Sequence, residues 1–226
     1  MAQLLGLTLL SLLVTSLLII PFIDFLYKVK LRRQKQKTVD LFNEPTPFFD
    51  KFNKWKVGTP FGGGLLIVIV VIIVFLWSIG LLNVKVNFWE LFVIIFTFVS
   101  FGILGLYDDA KKLVDKDNKL AFFGLRFRYK FLLQWILAFI PATILYSKLG
   151  YSFLFIKGFG LTDIGIFYIP FAAFVIVAFV NAFNIADGLD GLASGLLLIA
   201  LVSFLAISYT NLDQGLAMFI AILMGS

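Results

Sequence analysis

Phe61-Gly-Gly-Gly-Leu-Leu-Ile-Val-Ile-Val-Val-Ile-Ile-Val-Phe-Leu-Trp-Ser-Ile-Gly-Leu-Leu82 runs for 22 residues without one charged side chain. About 20 apolar residues let an α-helix cross the hydrocarbon layer of a bilayer, so this stretch is a membrane span. Five other runs have the same character: Leu4–Ile23, Phe88–Tyr107, Phe131–Leu149, Ile164–Phe183 and Leu192–Tyr209. Gly215–Met224 opens a seventh. The chain of 226 residues is 61% hydrophobic, too apolar for one soluble core. Backbone groups in lipid must be satisfied within the segment, and no alternating ten-residue strand pattern is present, so the spans are helical. The expected fold is all-α, a polytopic transmembrane helical bundle of six complete spans and a truncated seventh. Ala221-Ile-Leu-Met-Gly-Ser226 halts inside an apolar run, the pattern expected of a chain truncated at its carboxy terminus. Pro141 and Pro170 fall in or near spans, where kinks are expected. Gly150–Asp163, rich in glycine and aromatics, reads as a short hairpin.

The first run has no basic segment before it and no small-residue cleavage site after it, so it reads as a retained span. The chain has no cysteine and no histidine, which excludes disulfides, thiolate metal sites and imidazole catalysis within these residues. A net charge of +6 is compatible with nucleic acid, but the placement of the charge argues for a membrane instead. Lys28, Lys30, Arg32, Arg33, Lys35, Lys37, Lys51, Lys54 and Lys56 follow the first span, and Lys111, Lys112, Lys116, Lys119, Arg126, Arg128 and Lys130 follow the third. Only Lys85, Lys148 and Lys157 lie on the other side. Sixteen of nineteen basic residues thus share one face, which the positive-inside rule makes cytoplasmic, with the amino terminus outside.

Three polar patches fall at that face. The first, Thr59-Pro60-Phe61-Gly62-Gly63-Gly64, opens the second span; free N–H groups at such a helix start favour anions, although glycines there also serve helix packing. In the second, adjacent Asp108 and Asp109 leave the third span and are followed at once by Lys111 and Lys112. Two neighbouring carboxylates call for a cation or Mg²⁺ close by. The same patch also reads as a solvated helix cap with topogenic lysines. The third patch is Asn181-Ala-Phe-Asn184-Ile-Ala-Asp187-Gly188-Leu-Asp190-Gly191. Steps of three drift by about 60° on a helix, so its four polar groups cannot share one helical face. Gly188 and Gly191 are placed to break the helix and turn oxygen ligands inward. Such oxygens suit Mg²⁺, which takes few protein ligands and completes its shell with phosphate and water. Ionisable side chains near the hydrocarbon are costly, which favours chemistry or ion handling over a plain turn.

Lys56-Val-Gly-Thr-Pro-Phe-Gly-Gly-Gly64, Gly105-Leu-Tyr-Asp-Asp-Ala-Lys-Lys112 with Gly124-Leu-Arg-Phe-Arg-Tyr-Lys130, and Asn181–Gly191 together resemble the polyprenyl-phosphate sugar-1-phosphate transferases. The first of these motifs resembles the muramoyl-peptide branch more than the N-acetylglucosamine branch. The resemblance implies one membrane transferase domain over residues 1–226, in a bacterial inner membrane, with its active site on the cytoplasmic face. It implies transfer of phospho-N-acetylmuramoyl-pentapeptide from UDP to undecaprenyl phosphate with release of UMP, Mg²⁺ as cofactor, and homodimerisation. By the same resemblance Asp108, Asp109 and Asp187 are catalytic, with Asp108 taking the proton of the lipid phosphate, and Asn184 is a Mg²⁺ ligand. Lys56 and Asp190 belong to the uridine pocket, Gly188 is substrate-binding, and Lys112 and Lys130 meet phosphate charge. The chain departs from the family in carrying Phe61 where a hydroxyl residue is usual, and in lacking a later aspartate and a histidine-rich loop.

Two other classes compete. An ion-coupled transporter would place its acids near mid-bilayer and show repeat symmetry, whereas here they collect at one edge and no repeat is visible. A non-catalytic membrane scaffold is the third reading, and a UDP-N-acetylglucosamine:polyprenyl-phosphate phosphotransferase the alternative within the family.

Overall fold

The computed structural model describes residues 1–29, 58–114, 127–187, 191–211 and 213–226. Among these, seven helices and one hairpin follow in order: α1 Ala2–Lys28, α2 Gly64–Leu82, α3 Phe88–Val114, α4 Phe127–Ser147, β1 Phe153–Ile156, β2 Gly160–Asp163, α5 Tyr168–Ala186, α6 Leu192–Thr210 and α7 Gln214–Gly225. Six helices are long and apolar enough to cross a membrane. The chain is a multi-pass membrane protein.

Local chemistry sets the helix boundaries. α2 stops at Asn83, which adopts a left-handed conformation (φ 48°, ψ 38°), and the N–H of Val84 closes onto the Ile79 carbonyl at 3.3 Å. Asn tolerates that region because its short polar side chain bonds locally. Asn87 then caps α3 by accepting from the Trp89 N–H at 2.8 Å. Asp213 caps α7 in the same way, accepting from Leu216 N–H at 2.9 Å. Pro170 is the third residue of α5, in the first turn, where a missing N–H is tolerated. α4 continues through Pro141. The hairpin expected within Gly150–Asp163 is present, with Phe153 opposite Asp163 and Phe155 opposite Leu161.

Two apolar clusters hold the helices. The larger joins Leu4 and Leu7 of α1, Val70, Val71, Val74 and Phe75 of α2, and Met218, Phe219 and Ile222 of α7. The Phe219 ring meets Phe75 and Phe98 edge-on, each at 5.3 Å between centroids. Lipid is as apolar as leucine, so such contacts stabilise by close packing rather than by removal from water. Small residues make the closest approaches. Gly225 lies against the Thr8 carbonyl of α1 so tightly that no Cβ fits there, and the Thr8 hydroxyl donates to the Ala221 carbonyl at 3.0 Å. Although only 12 residues long, α7 is, among the described residues, the element most enclosed by its neighbours. The smaller cluster sets Ala138 and Ala142 of α4 against Ala172, Ala173 and Val177 of α5. α5 and α6, by contrast, barely touch.

Candidate active site at one end of the bundle

Alternating helix directions bring the start of α2, the end of α3, the start of α4 and the end of α5 to one end of the bundle. Contacts tie these termini together. Gly62, with a φ of +91°, precedes α2 and lies near Leu106 of α3 and Leu26 of α1; a Cβ on it would be 3.7 Å and 4.0 Å from their methyl carbons. Leu106 is two residues before Asp108, so the glycine motif and the paired aspartates lie at the same end of the bundle, although residues two apart on a helix point to different sides.

α3 does not end at Tyr107, as the apolar run suggested, but continues through Asp108 and Asp109 to Val114. Ala, Lys and Leu are good helix formers, so nothing in Ala110-Lys-Lys-Leu stops the helix. Neighbouring residues on a helix point about 100° apart, so the two acids part company. Asp108 turns into the bundle and is only 5% exposed, while Asp109 is half-buried. Lys130, in the first turn of α4, places Nζ 3.1 Å from Asp108 Oδ2. The positive end of the α4 dipole disfavours a cation at that position, so the carboxylate offsets both charges at once. Sequence order points to Lys111 and Lys112 as sources of a cation, and the side chain of Lys112 lies outside the described residues; among those described, Lys130 reaches Asp108 from the next helix.

One turn further into α4, Gln134 is 1% exposed. Its Oε1 accepts from Asn181 Nδ2 at 2.8 Å, and the same amide donates to the Val177 carbonyl at 2.8 Å. Asn181 of the third motif is thereby tied to the helix that carries Lys130. Gln134 escapes a reading of the sequence because a lone glutamine in an apolar run does not reveal its partner; its spacing of four from Lys130 is the sole signal.

Asn184 and Asp187 both face outward at the end of α5. Asp187 terminates the helix (φ −78°, ψ 52°), its N–H reaching the Phe183 carbonyl at 3.2 Å. Gly191, at φ +80°, then opens α6 in a conformation suited to glycine. Lys56, Gly188 and Asp190 lie outside the described residues, as does the side chain of Lys112. Among the described residues no three acids gather as a metal-binding cluster. Asp108 is therefore brought together with Lys130, and Asn181 with Gln134, while Asp187 joins no such group.

The family profile of glycosyl transferase family 4 matches residues 91–226, from the first turn of α3 onward. The chain belongs to glycosyl transferase family 4. Family relatives include the phospho-N-acetylmuramoyl-pentapeptide-transferase of Limosilactobacillus reuteri (strain DSM 20016), 34% identical over 208 residues, which are 92% of this chain and 58% of that protein. The protein of the same name from Limosilactobacillus fermentum is 32% identical over 221 residues, 98% of this chain and 63% of the relative. A third, from Thermodesulfovibrio yellowstonii, is 40% identical over 152 residues, 64% of this chain and 39% of the relative. This family member thus spans about three fifths of the length of the first two relatives.

Proposed function

We propose that the protein transfers phospho-N-acetylmuramoyl-pentapeptide from its UDP-linked form to undecaprenyl phosphate, releasing UMP. The observation that carries this reading is the partly buried Asp108–Lys130 pair at the bundle end that also holds the glycine motif before α2 and the end of α5, where Asn181 is tied to Gln134 of α4. The relatives' names supply the reaction. Sixteen of nineteen basic residues follow the first or third span in the sequence, a bias that supports a cytoplasmic site and an outside amino terminus. We read residues 1–226 as one membrane domain.

In this scheme Asp108 takes the proton of the lipid phosphate, and Lys130 fixes the carboxylate in place for that task. A phosphate oxygen of the lipid then forms a bond to the sugar-linked phosphorus, and the bond from that phosphorus to the bridging oxygen breaks, its electron pair leaving with UMP. Such transfers depend mainly on positioning and on stabilising charge. Asn184 and Asp187 present an amide oxygen and a carboxylate at the negative end of the α5 dipole, a donor set that fits a hard cation. Mg²⁺ held there would neutralise charge on the substrate diphosphate. The roles of Asp109, Lys56, Lys112, Gly188 and Asp190 rest on the family resemblance.

The test is incubation of the full-length protein with Mg²⁺, undecaprenyl phosphate and either UDP-N-acetylmuramoyl-pentapeptide or UDP-N-acetylglucosamine. UMP release with the muramoyl-peptide substrate, abolished by Asp108→Asn, is expected. Release with the N-acetylglucosamine substrate alone reassigns the branch. Turnover with neither leaves a transporter or scaffold.

A further inference from the structure

The hairpin at the opposite end of the bundle carries its apolar residues on the wrong side for a water-facing turn. Alternate residues of a strand share a face, and the register places Phe153, Phe155 and Leu161 together. These are 57%, 74% and 76% exposed, and Phe159 in the turn is 85% exposed. On the other face Leu154 and Thr162 are partly covered, and Ile156 beside the turn is 43% exposed. An antiparallel hairpin with one solvated face ordinarily keeps its polar residues there. Asp163 shares the apolar face but sits at the root, where its Oδ1 accepts from the Gly165 N–H at 2.8 Å.

We propose that this face lies in the headgroup region of the bilayer, with Phe155, Phe159 and Leu161 reaching to the edge of the acyl chains. The hairpin connects α4 to α5, and its root stands among residues that mark a membrane boundary. Lys148 Nζ lies 5.2 Å from the centre of the Trp89 ring, and Tyr151 stacks on Tyr168 at 6.4 Å. Trp and Tyr concentrate at that level of a membrane. Strands of four residues reach only about 13 Å from the root, so the hairpin cannot travel far from the lipid. The patch is also continuous with lipid-facing surface: exposed Ile166 and Phe167 follow the hairpin, and Phe171 and Phe174 extend the apolar surface down α5. Lys157, exposed in the turn beside these aromatics, is placed to lay its methylenes along them and hold its ammonium among lipid phosphates. This placement is independent of the proposed chemistry at the other end.

Residues 1–226 contain no cysteine, so Phe155→Cys, Phe159→Cys, Leu161→Cys and Lys157→Cys each place one nitroxide within them, any cysteine elsewhere in the full-length protein being replaced by serine first. The labelled full-length protein, reconstituted in vesicles of phosphatidylcholine and phosphatidylglycerol, is probed with oxygen, which partitions into lipid, and with a water-soluble nickel chelate. The oxygen-to-nickel collision ratio at 155, 159 and 161 is expected to exceed that at 157 several-fold, with mobile spectra. Nickel collisions dominating at 155 and 161 would place the face in water and overturn the proposal. Immobile labels shielded from both reagents would overturn it in favour of a protein partner, such as a second copy. Three independent positions keep the result decisive if one variant does not fold.

Discussion

Lys130 and Asp108 pair at 3.1 Å where the carboxylate is buried and the lysine partly so. Removing one member of a fully buried pair costs about 3–5 kcal/mol and replacing both by apolar residues is far milder; for this partly buried pair the same ordering holds at smaller size. Lys130→Met is therefore expected to lower the thermal unfolding midpoint in detergent, and Asp108→Leu combined with Lys130→Met to recover much of the loss. Activity separates the roles, since neither variant should release UMP. At this scale the acids were legible from sequence because adjacent aspartates beside an apolar run are costly. Their partners were not. Helical spacing identifies neighbours within a helix, but Lys130 reaches Asp108, and Gln134 reaches Asn181, from the next helix, and only packing reveals such pairs.

Individual helices were legible because each apolar run is about as long as a bilayer is thick. Their ends were harder to place. The run of apolar residues stops at Tyr107, but helix-forming Ala110, Lys111 and Lys112 carry α3 to Val114, so hydropathy marks the membrane edge and not the end of the helix. Packing between elements was hidden altogether. Nothing in Gln214–Gly225 announces that this short helix is the most enclosed of the seven among the described residues. Gly225→Leu would force a side chain against the Thr8 backbone, which cannot swing aside as a flexible side chain would. Overpacking of this kind costs about 1–3 kcal/mol. A lower unfolding midpoint is expected, together with weaker crosslinking between cysteines introduced at Thr8 and Ala221.

Across the whole molecule, charge asymmetry gives a direct test of orientation. An impermeant maleimide applied to intact cells is expected to label Lys157→Cys and to leave Lys28→Cys unlabelled until the membrane is opened. The opposite pattern would invert the protein and move the Asp108 end outside. The enclosure of α7 has a further consequence for synthesis. α1 leaves the ribosome about two hundred residues before α7, so at about 5–20 residues per second α1 must wait roughly ten to forty seconds for this packing partner. Throughout that delay its Thr8 hydroxyl has an acceptor of its own, the Leu4 carbonyl at 3.1 Å. The nascent helix can therefore lodge in lipid without stranding that polar group, and exchange to the shared arrangement when α7 arrives.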